Sequence, residues 1–194
     1  MTRAWDVKRL DPDAPLALNA RRVLAVRIAE FYSWEPVVDD NDHTEALHQL
    51  RISAKRLRYT LELFRGVFGE AGERSIEHVR EVQEVLGALH DQDVRIALIQ
   101  DELRQLAVEQ FDELAGALAT AEPDVLPLIA ASSLQPTPND SRWGLIHLLS
   151  RQHAARQATV QEFRALWTSL KKTRLREDLV ALSSLQFSGS PEST

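Results

Sequence analysis

One stretch of the chain, residues 46–64 (ALHQLRISAKRLRYTLELF), repeats its apolar side chains at helical spacing and so limits the folds open to this protein. An α-helix turns by about 100° per residue, which places these side chains on one stripe. Such a stripe has to pack against another apolar surface. The stretch therefore predicts an amphipathic helix within a helical fold. The stripe consists of Leu47, Leu50, Ala54, Leu57, Leu61 and Phe64.

The same stretch carries four Lys or Arg residues and no acidic residue before Glu62. On a helix, three of these cations and one histidine fall on an arc of roughly 80° beside the stripe. Basic groups at the edge of a core become the wall of a groove when a partner helix packs alongside. A row of fixed cations along a groove suits an extended anion. The arc consists of His48, Arg51, Lys55 and Arg58.

Glycine and proline are scarce in the rest of the chain, with 7 and 8 among 194 residues, and long runs are rich in Leu, Ala, Arg and Glu. This composition predicts an all-α fold. The length fits one domain, which we place at residues 14–186 with flexible tails at 1–13 and 187–194. Because cysteine is absent, the chain has no disulfides, no thiolate zinc site and no cysteine nucleophile.

Helix-stop signals divide the chain into an antiparallel bundle of four to five helices, two of them long. The first helix is predicted between Pro15 and Pro36. The second begins at Thr44 as N-cap and ends at the glycines of residues 66–72. The third begins at Glu73 and reaches about residue 105 or further.

Four prolines between residues 123 and 138 predict a connector after the third helix. A last long helix is predicted to begin at Ser141 as N-cap and to end near Ser183, with a break near Thr173. Residues 111–118 either extend the third helix or form a short helix of their own.

Charge is distributed unevenly along the chain, although the formal net charge is only −6. Residues 141–176 hold eight basic side chains and one acidic one, a net charge of +7. Residues 77–113 hold ten acidic and three basic side chains, a net charge of −7. Local fields decide which partners bind, so the acidic total does not exclude a polyanion.

The N-terminal sequence MTRAWDVKRLDPDAP has no apolar segment of the signal-peptide kind. No run of 18 uninterrupted apolar residues occurs, so no membrane partner is expected. We therefore expect a cytoplasmic protein.

Three motifs, in this order, resemble the CHAD family, the conserved-histidine α-helical domains. The first is His-x-x-Arg-Ile from His48, and the second is Lys-Arg-Leu-Arg-Tyr-x-Leu-Glu from Lys55. The third is Leu-Gly-x-Leu-His-Asp-x-x-Val from Leu86. The remaining sequence matches only in its general run of helices and basic residues.

The resemblance implies an all-α domain whose basic helices bind inorganic polyphosphate without catalysis of their own. Family members often accompany a triphosphate-tunnel metalloenzyme domain, so a polyphosphate-processing enzyme is a candidate partner and polyphosphate granules are a candidate location. Full-size members have two related halves, each with a basic helical hairpin, whereas this sequence has one clear His-x-x-Arg helix. The second wall of the groove is expected from the helix at 141–176 or from another copy in a homodimer.

The predicted site divides into ligand-binding and supporting residues. We expect Asp91 and Asp93 to hold cations of the 46–64 helix in place. In the alternative interpretation, those cations form a solvated helix face that is paired with acids of the third helix. The predicted polyphosphate-binding residues are His48, Arg51, Lys55, Arg58, Arg22, Arg156, Arg164 and Lys171. The predicted supporting residues are Tyr59, His90, Asp91 and Asp93.

Three other functions compete with polyphosphate binding. A basic groove also attracts a nucleic-acid backbone, although few aromatic residues are interleaved with the basic run for base stacking. The same face could dock an acidic protein partner. A histidine-based metal site is the third alternative, but no two histidines have the i, i+4 spacing of a helix-borne zinc site.

No enzyme activity and no cofactor are expected. The sequence contains no P-loop, no Gly-x-Ser-x-Gly and no Gly-x-Gly-x-x-Gly.

Overall fold

The computed structural model describes residues 3–39, 44–133 and 140–184, and every regular element in these ranges is helical. The predicted all-α fold is confirmed. The described ranges contain more helices than the four to five predicted. The elements are α1 (Leu16–Tyr32), a short 3-10 helix (Glu35–Asp39), α2 (Thr44–Leu63), α3 (Arg65–Thr120), α4 (Leu126–Ser133), α5 (Ser141–Lys172) and α6 (Leu175–Ser184).

The additional helices come from two places in the sequence. The predicted proline-rich connector contains α4. The predicted last helix ends at Lys172 and resumes at Leu175, which places its break at the position expected near Thr173. Arg174 has a φ of 62° at this break, a left-handed conformation that interrupts a right-handed helix.

The glycines between α2 and the main part of α3 also interrupt the helical backbone. α2 ends at Leu63, and α3 begins at Arg65 but contains a kink at Gly69, where φ is 57° and ψ is −150°. This backbone conformation is essentially restricted to glycine, because a Cβ would clash with the backbone. The chain therefore turns within the predicted range of 66–72.

The protein forms two compact units, which are described separately. The first consists of the described residues up to His90 and those from Thr159 onward. The second is Asp91–Ala158. The helices α3 and α5 each contribute residues to both units, and the predicted domain limits at 14 and 186 stay a prediction.

The core of the first unit combines apolar stripes from α1, α2 and α6 with the adjoining parts of α3 and α5. The predicted stripe of α2 is buried, except that Phe64, just beyond its end, is partly buried against the same core. Because this stripe faces the core, the basic arc beside it is held at the edge of the core, where its side chains are half-buried.

The residues before α1 are hydrogen-bonded to that helix, whereas the sequence predicts a flexible tail at 1–13. The Asn19 amide donates to the carbonyl oxygen of Asp11 at 2.6 Å, and its oxygen accepts the Asp11 N–H at 3.2 Å. Arg27 donates to the carbonyl oxygen of Trp5 at 3.0 Å. The tail predicted at 187–194 lies outside the described residues.

The second unit contains few buried side chains. Ile96 and Ile99 are its buried apolar residues within the described ranges, while Leu98 and Phe111 on the same helix are exposed. No helix in the described part of the chain combines the length and the apolar composition that crossing a membrane requires.

The start of α5 differs from the prediction in its capping residue. α5 begins at Ser141, and the Asp140 carboxylate accepts the backbone N–H of Arg142 at 2.9 Å and so occupies the N-cap position. The Arg142 guanidinium also donates to this carboxylate and lowers the pKa of Asp140.

Candidate functional site

The candidate site is one face of α2, which we call the α2 basic face and define by His48, Arg51, Lys55 and Arg58. All four side chains are half-buried, because the neighbouring stripe packs into the core of the first unit. An α-helix rises by about 1.5 Å per residue, so Lys55 follows Arg51 after about 6 Å and Arg58 follows Lys55 after about 4.5 Å. The face therefore presents its cations as a row along the helix axis.

The adjoining part of α3 runs antiparallel to α2 and contacts this face at three levels. His90 lies opposite His48, with 3.3 Å between the two Nδ1 atoms and 4.6 Å between the ring centroids. Gly87 lies beside Arg51. Gln83 accepts a hydrogen bond from Nε of Arg58 at 2.8 Å. The two helices thus hold the row in a fixed register.

Arg51 is the most unusual cation of the row. Its Nε atom is buried and has no hydrogen-bond partner. Within the described ranges, the guanidinium makes no hydrogen bond or ion pair. A buried donor without an acceptor costs about 1–3 kcal/mol, so Arg51 occupies this position at a cost that no hydrogen bond of the described residues offsets.

Gly87 explains why space remains beside this guanidinium. A Cβ built at position 87 would lie 4.0 Å from Nε of Arg51, so any longer side chain would occupy the space next to it. Glycine inside a helix costs roughly 1 kcal/mol relative to alanine. α3 therefore has a residue that destabilises a helix, Gly87, at the point where it faces Arg51.

Lys55 and Arg58 differ in whether other residues of the protein already form hydrogen bonds or ion pairs with them. Lys55 makes no hydrogen bond or ion pair with the part of the chain that the structure describes. Arg58 is 18 % exposed and pairs with Glu62 at 3.1 Å, in addition to Gln83. Pairing with acids of the third helix, the alternative interpretation of these cations, is therefore absent for Arg51 and Lys55 among the described residues.

Two of the predicted supporting residues, Tyr59 and His90, contact the α2 basic face. The Tyr59 ring is 53 % exposed, and the Arg58 guanidinium carbon lies 4.8 Å from its centroid. The hydrogen bond between His48 and His90 requires one of the two Nδ1 atoms to carry a proton and the other to accept it. Tyr59 and His90 therefore help to hold Arg58 and His48, the two ends of the row, in place.

Asp91 and Asp93 belong to the second unit and behave differently from the prediction. The Asp93 carboxylate accepts a hydrogen bond from Nε of Arg156 at 2.5 Å, and both side chains are mostly buried. Its partner is therefore a cation of α5, where the sequence predicted cations of the 46–64 helix. Asp91 is exposed.

The remaining cations of the predicted site have partners inside the protein. Arg22 donates to the carbonyl oxygen of Arg9, and Nε of Arg164 donates to that of Val38 at 3.3 Å. Lys171 pairs with Glu35 at 2.9 Å. Together with the Arg156 pair, these contacts assign a structural role to each cation that was predicted outside α2.

Sequence reasoning missed a buried carboxylate behind α2. Glu30 of α1 is 3 % exposed and pairs with Arg27 and with Arg56. Removing one partner of such a buried network typically costs 3–5 kcal/mol, so Glu30 fixes α2 against α1.

Gly87 is the one of these additional residues that the sequence could have indicated. A glycine within an otherwise strong helix pattern usually has a packing or functional reason.

Metal ligands are not clustered in the described residues. Within the ranges 3–39, 44–133 and 140–184, no group of three or more His, Asp or Glu side chains could hold an ion.

A comparison with protein-family models gives a match over residues 2–100, and the matching model is described as the CHAD domain. The matched range includes α1, α2 and the part of α3 that faces the α2 basic face. Neither the comparison with curated proteins nor the one with solved structures gives a match.

Proposed function

The chain belongs to the CHAD domain family, and on that basis we propose that it binds inorganic polyphosphate through the α2 basic face. The observation that carries the proposal is the pair Arg51 and Lys55, two cations one helical turn apart without partners among the described residues. Cations held in place but not neutralised by the protein are ready to receive an anion. The α2 basic face would then act as the wall of a polyphosphate groove.

The spacing of the row supports a linear polyanion rather than a single phosphate. Arg51 and Lys55 are separated by about 6 Å along the axis and Lys55 and Arg58 by about 4.5 Å, close to a repeat of two phosphates in an extended chain. Each guanidinium or ammonium can donate charge-assisted hydrogen bonds to phosphate oxygens. A ligand with one charge per phosphate would therefore engage the row at successive positions.

The other members of the face would assist in different ways. Arg58 is fixed by Glu62 and Gln83, so it offers a partly neutralised guanidinium at one end. His48 at the other end contacts His90 through Nδ1, which leaves its Nε2 to add a hydrogen bond to a phosphate. The proposed site is restricted to α2, because Arg22, Arg156, Arg164 and Lys171 already have intramolecular partners.

We further propose that binding occurs without catalysis. Phosphoryl transfer requires carboxylates that hold Mg²⁺ beside the phosphates. Glu62 is the described carboxylate that contacts the face, and it is engaged by Arg58. Any chemistry on the bound polymer would then come from a separate polyphosphate-processing enzyme.

The proposal is tested by measuring the affinity for long-chain polyphosphate over a series of salt concentrations. The logarithm of the binding constant should fall linearly with the logarithm of salt concentration, as for other polyphosphate backbones. The double variant Arg51→Ala/Lys55→Ala should bind at least about 100-fold more weakly, because charged hydrogen bonds contribute about 1.5–3 kcal/mol each. Its helical circular dichroism should be unchanged.

A matched control removes the same charges elsewhere. Lys8 and Arg95 are exposed and have no hydrogen-bond or ion-pair partner within the described ranges. Lys8→Ala/Arg95→Ala should retain nearly the wild-type affinity. Equal loss of binding in both double variants would show that total charge matters and the α2 basic face does not.

Nucleic-acid binding is distinguished by competition at one salt concentration. Polyphosphate should displace a single-stranded oligonucleotide of equal charge, since the exposed aromatic residue beside the face is Tyr59, and Arg58 partly covers its ring. If the oligonucleotide binds more tightly and Tyr59→Ala removes that advantage, the protein is a nucleic-acid binder instead.

A further inference from the structure

A cavity of about 360 Å³ lies in the first unit, on elements other than α2. It is bordered by the C-terminal end of α1, the 3-10 helix, the C-terminal end of α5 and the start of α6. Pockets that bind small molecules typically start at about 300 Å³. The space therefore fits one small ring with a polar group.

The inner wall of this cavity is aromatic. Phe31, Tyr32 and Trp167 lie within 5.0–6.0 Å of one another by ring centroids, and all three line the cavity. Aromatic rings at these separations form edge-to-face and tilted contacts that another ring can extend. The wall therefore favours a planar aromatic ligand over a flexible aliphatic one.

Two hydrogen-bond donors in the wall lack an acceptor. Trp167 is 4 % exposed, and its Nε1–H has no hydrogen-bond partner. The Tyr32 hydroxyl likewise makes no hydrogen bond with the residues that the structure describes. Burial raises the pKa of Tyr32, so its hydroxyl keeps its proton and remains a donor at every physiological pH.

The rim of the cavity carries an excess of positive charge. The Glu35 carboxylate is shared by Lys171 at 2.9 Å and Arg176 at 3.3 Å, which leaves one positive charge uncompensated. Glu177 also lines the cavity, and it pairs with Arg174 at 3.7 Å, so the three cations Lys171, Arg174 and Arg176 and the two carboxylates together carry one net positive charge. The Arg176 guanidinium also lies 4.9 Å from the centroid of the Tyr32 ring, beside the aromatic wall.

From this arrangement, we propose that the cavity binds a small planar aromatic molecule that carries a single negative charge, such as an aryl carboxylate. The ring would pack on Tyr32 and Trp167, which the fully buried Phe31 supports from behind, and the anion would join Lys171 and Arg176 at the rim. The site shares no residue with the α2 basic face, so it does not depend on polyphosphate binding.

Nuclear magnetic resonance on the full chain tests this proposal with three probe molecules. Benzoate should shift the Trp167 indole N–H signal saturably, whereas acetate, which lacks the ring, should not. Benzyl alcohol, which lacks the charge, should bind at least tenfold more weakly than benzoate. Trp143 of the second unit is 49 % exposed and provides an internal reference whose indole signal should stay in place.

Charge variants test the rim separately. Lys171→Met/Arg176→Met should weaken benzoate binding at least tenfold and leave benzyl alcohol unaffected. Lys172→Met is the matched control, since Lys172 is adjacent, exposed and does not line the cavity. The proposal is overturned if Trp167 does not respond to benzoate, if acetate acts equally, or if benzoate and benzyl alcohol bind alike.

Polyphosphate provides the test of independence. Saturation with polyphosphate should leave the Trp167 indole signal unchanged, and Arg51→Ala/Lys55→Ala should still bind benzoate. If that variant loses both ligands, the cavity is not a separate site.

Discussion

At the scale of single residues, the contact between Arg51 and Gly87 distinguishes the α2 basic face from an ordinary basic helix surface. Most cations of this protein have carboxylate or carbonyl partners, as Arg56 and Arg22 do. Arg51 faces a glycine, so neither a carboxylate nor an amide of α3 reaches its guanidinium at that level. The absence of a side chain at position 87 is thus as important for the proposed site as the charge of Arg51.

This contact leads to a prediction for Gly87→Glu. The new carboxylate would lie beside Arg51 and neutralise it, so polyphosphate affinity should fall about tenfold, the effect of one charged hydrogen bond. Gly116→Glu is the matched control, because it adds the same charge to the same helix at an exposed position with no neighbour within 4 Å. Titration of both variants with polyphosphate checks this, and equal affinities would contradict the role of Gly87.

The residues of the face could be predicted from the sequence, but their partners could not. Helical periodicity alone places Arg51 and Lys55 beside the buried stripe, since the stripe and the two cations belong to the same helix. Whether a cation is paired depends on contacts between elements distant in sequence. Periodicity therefore could not show that Asp93 pairs with Arg156, or that Glu30 is buried between two arginines.

At the scale of elements, the turn between α2 and α3 sets the register of the site. His48 meets His90, and Arg58 meets Gln83, only because α3 returns antiparallel after the kink at Gly69. The sequence predicted this turn correctly from its glycines. Periodicity did not separate α4 from its connector, because its 8 residues, LPLIAASS, fall short of the roughly 11–18 residues over which helical periodicity is recognised.

The backbone at Gly69 gives a prediction about stability. Gly69→Ala forces an L side chain into a conformation with φ of 57°, which should destabilise the protein by about 1–3 kcal/mol. Gly66→Ala is its control three residues earlier in the same helix, where φ is not positive and no atom lies within 4 Å. That substitution should be neutral or stabilising by about 0.4–1 kcal/mol. Urea denaturation measures both, and an equal effect of the two changes would refute the strain argument.

At the scale of the whole molecule, net charge conceals the proposed function. The chain is acidic overall, with a formal charge of −6, yet the described acids near the α2 basic face are few and engaged. From the sequence, the basic residues of 141–176 were predicted to form the second wall of the polyphosphate groove. In the structure, Arg156, Arg164 and Lys171 bind a carboxylate or a carbonyl oxygen, and Lys171 borders the aromatic cavity instead.

The most direct test of the central claim follows the side-chain N–H signals of arginine while polyphosphate of one chain length is added. We predict that the Nε–H of Arg51 shifts saturably, with the same dissociation constant as binding measured on the whole protein. The Nε–H of the exposed Arg95 should not move. If Arg51 stays unchanged while the protein becomes saturated, polyphosphate does not bind at the α2 basic face.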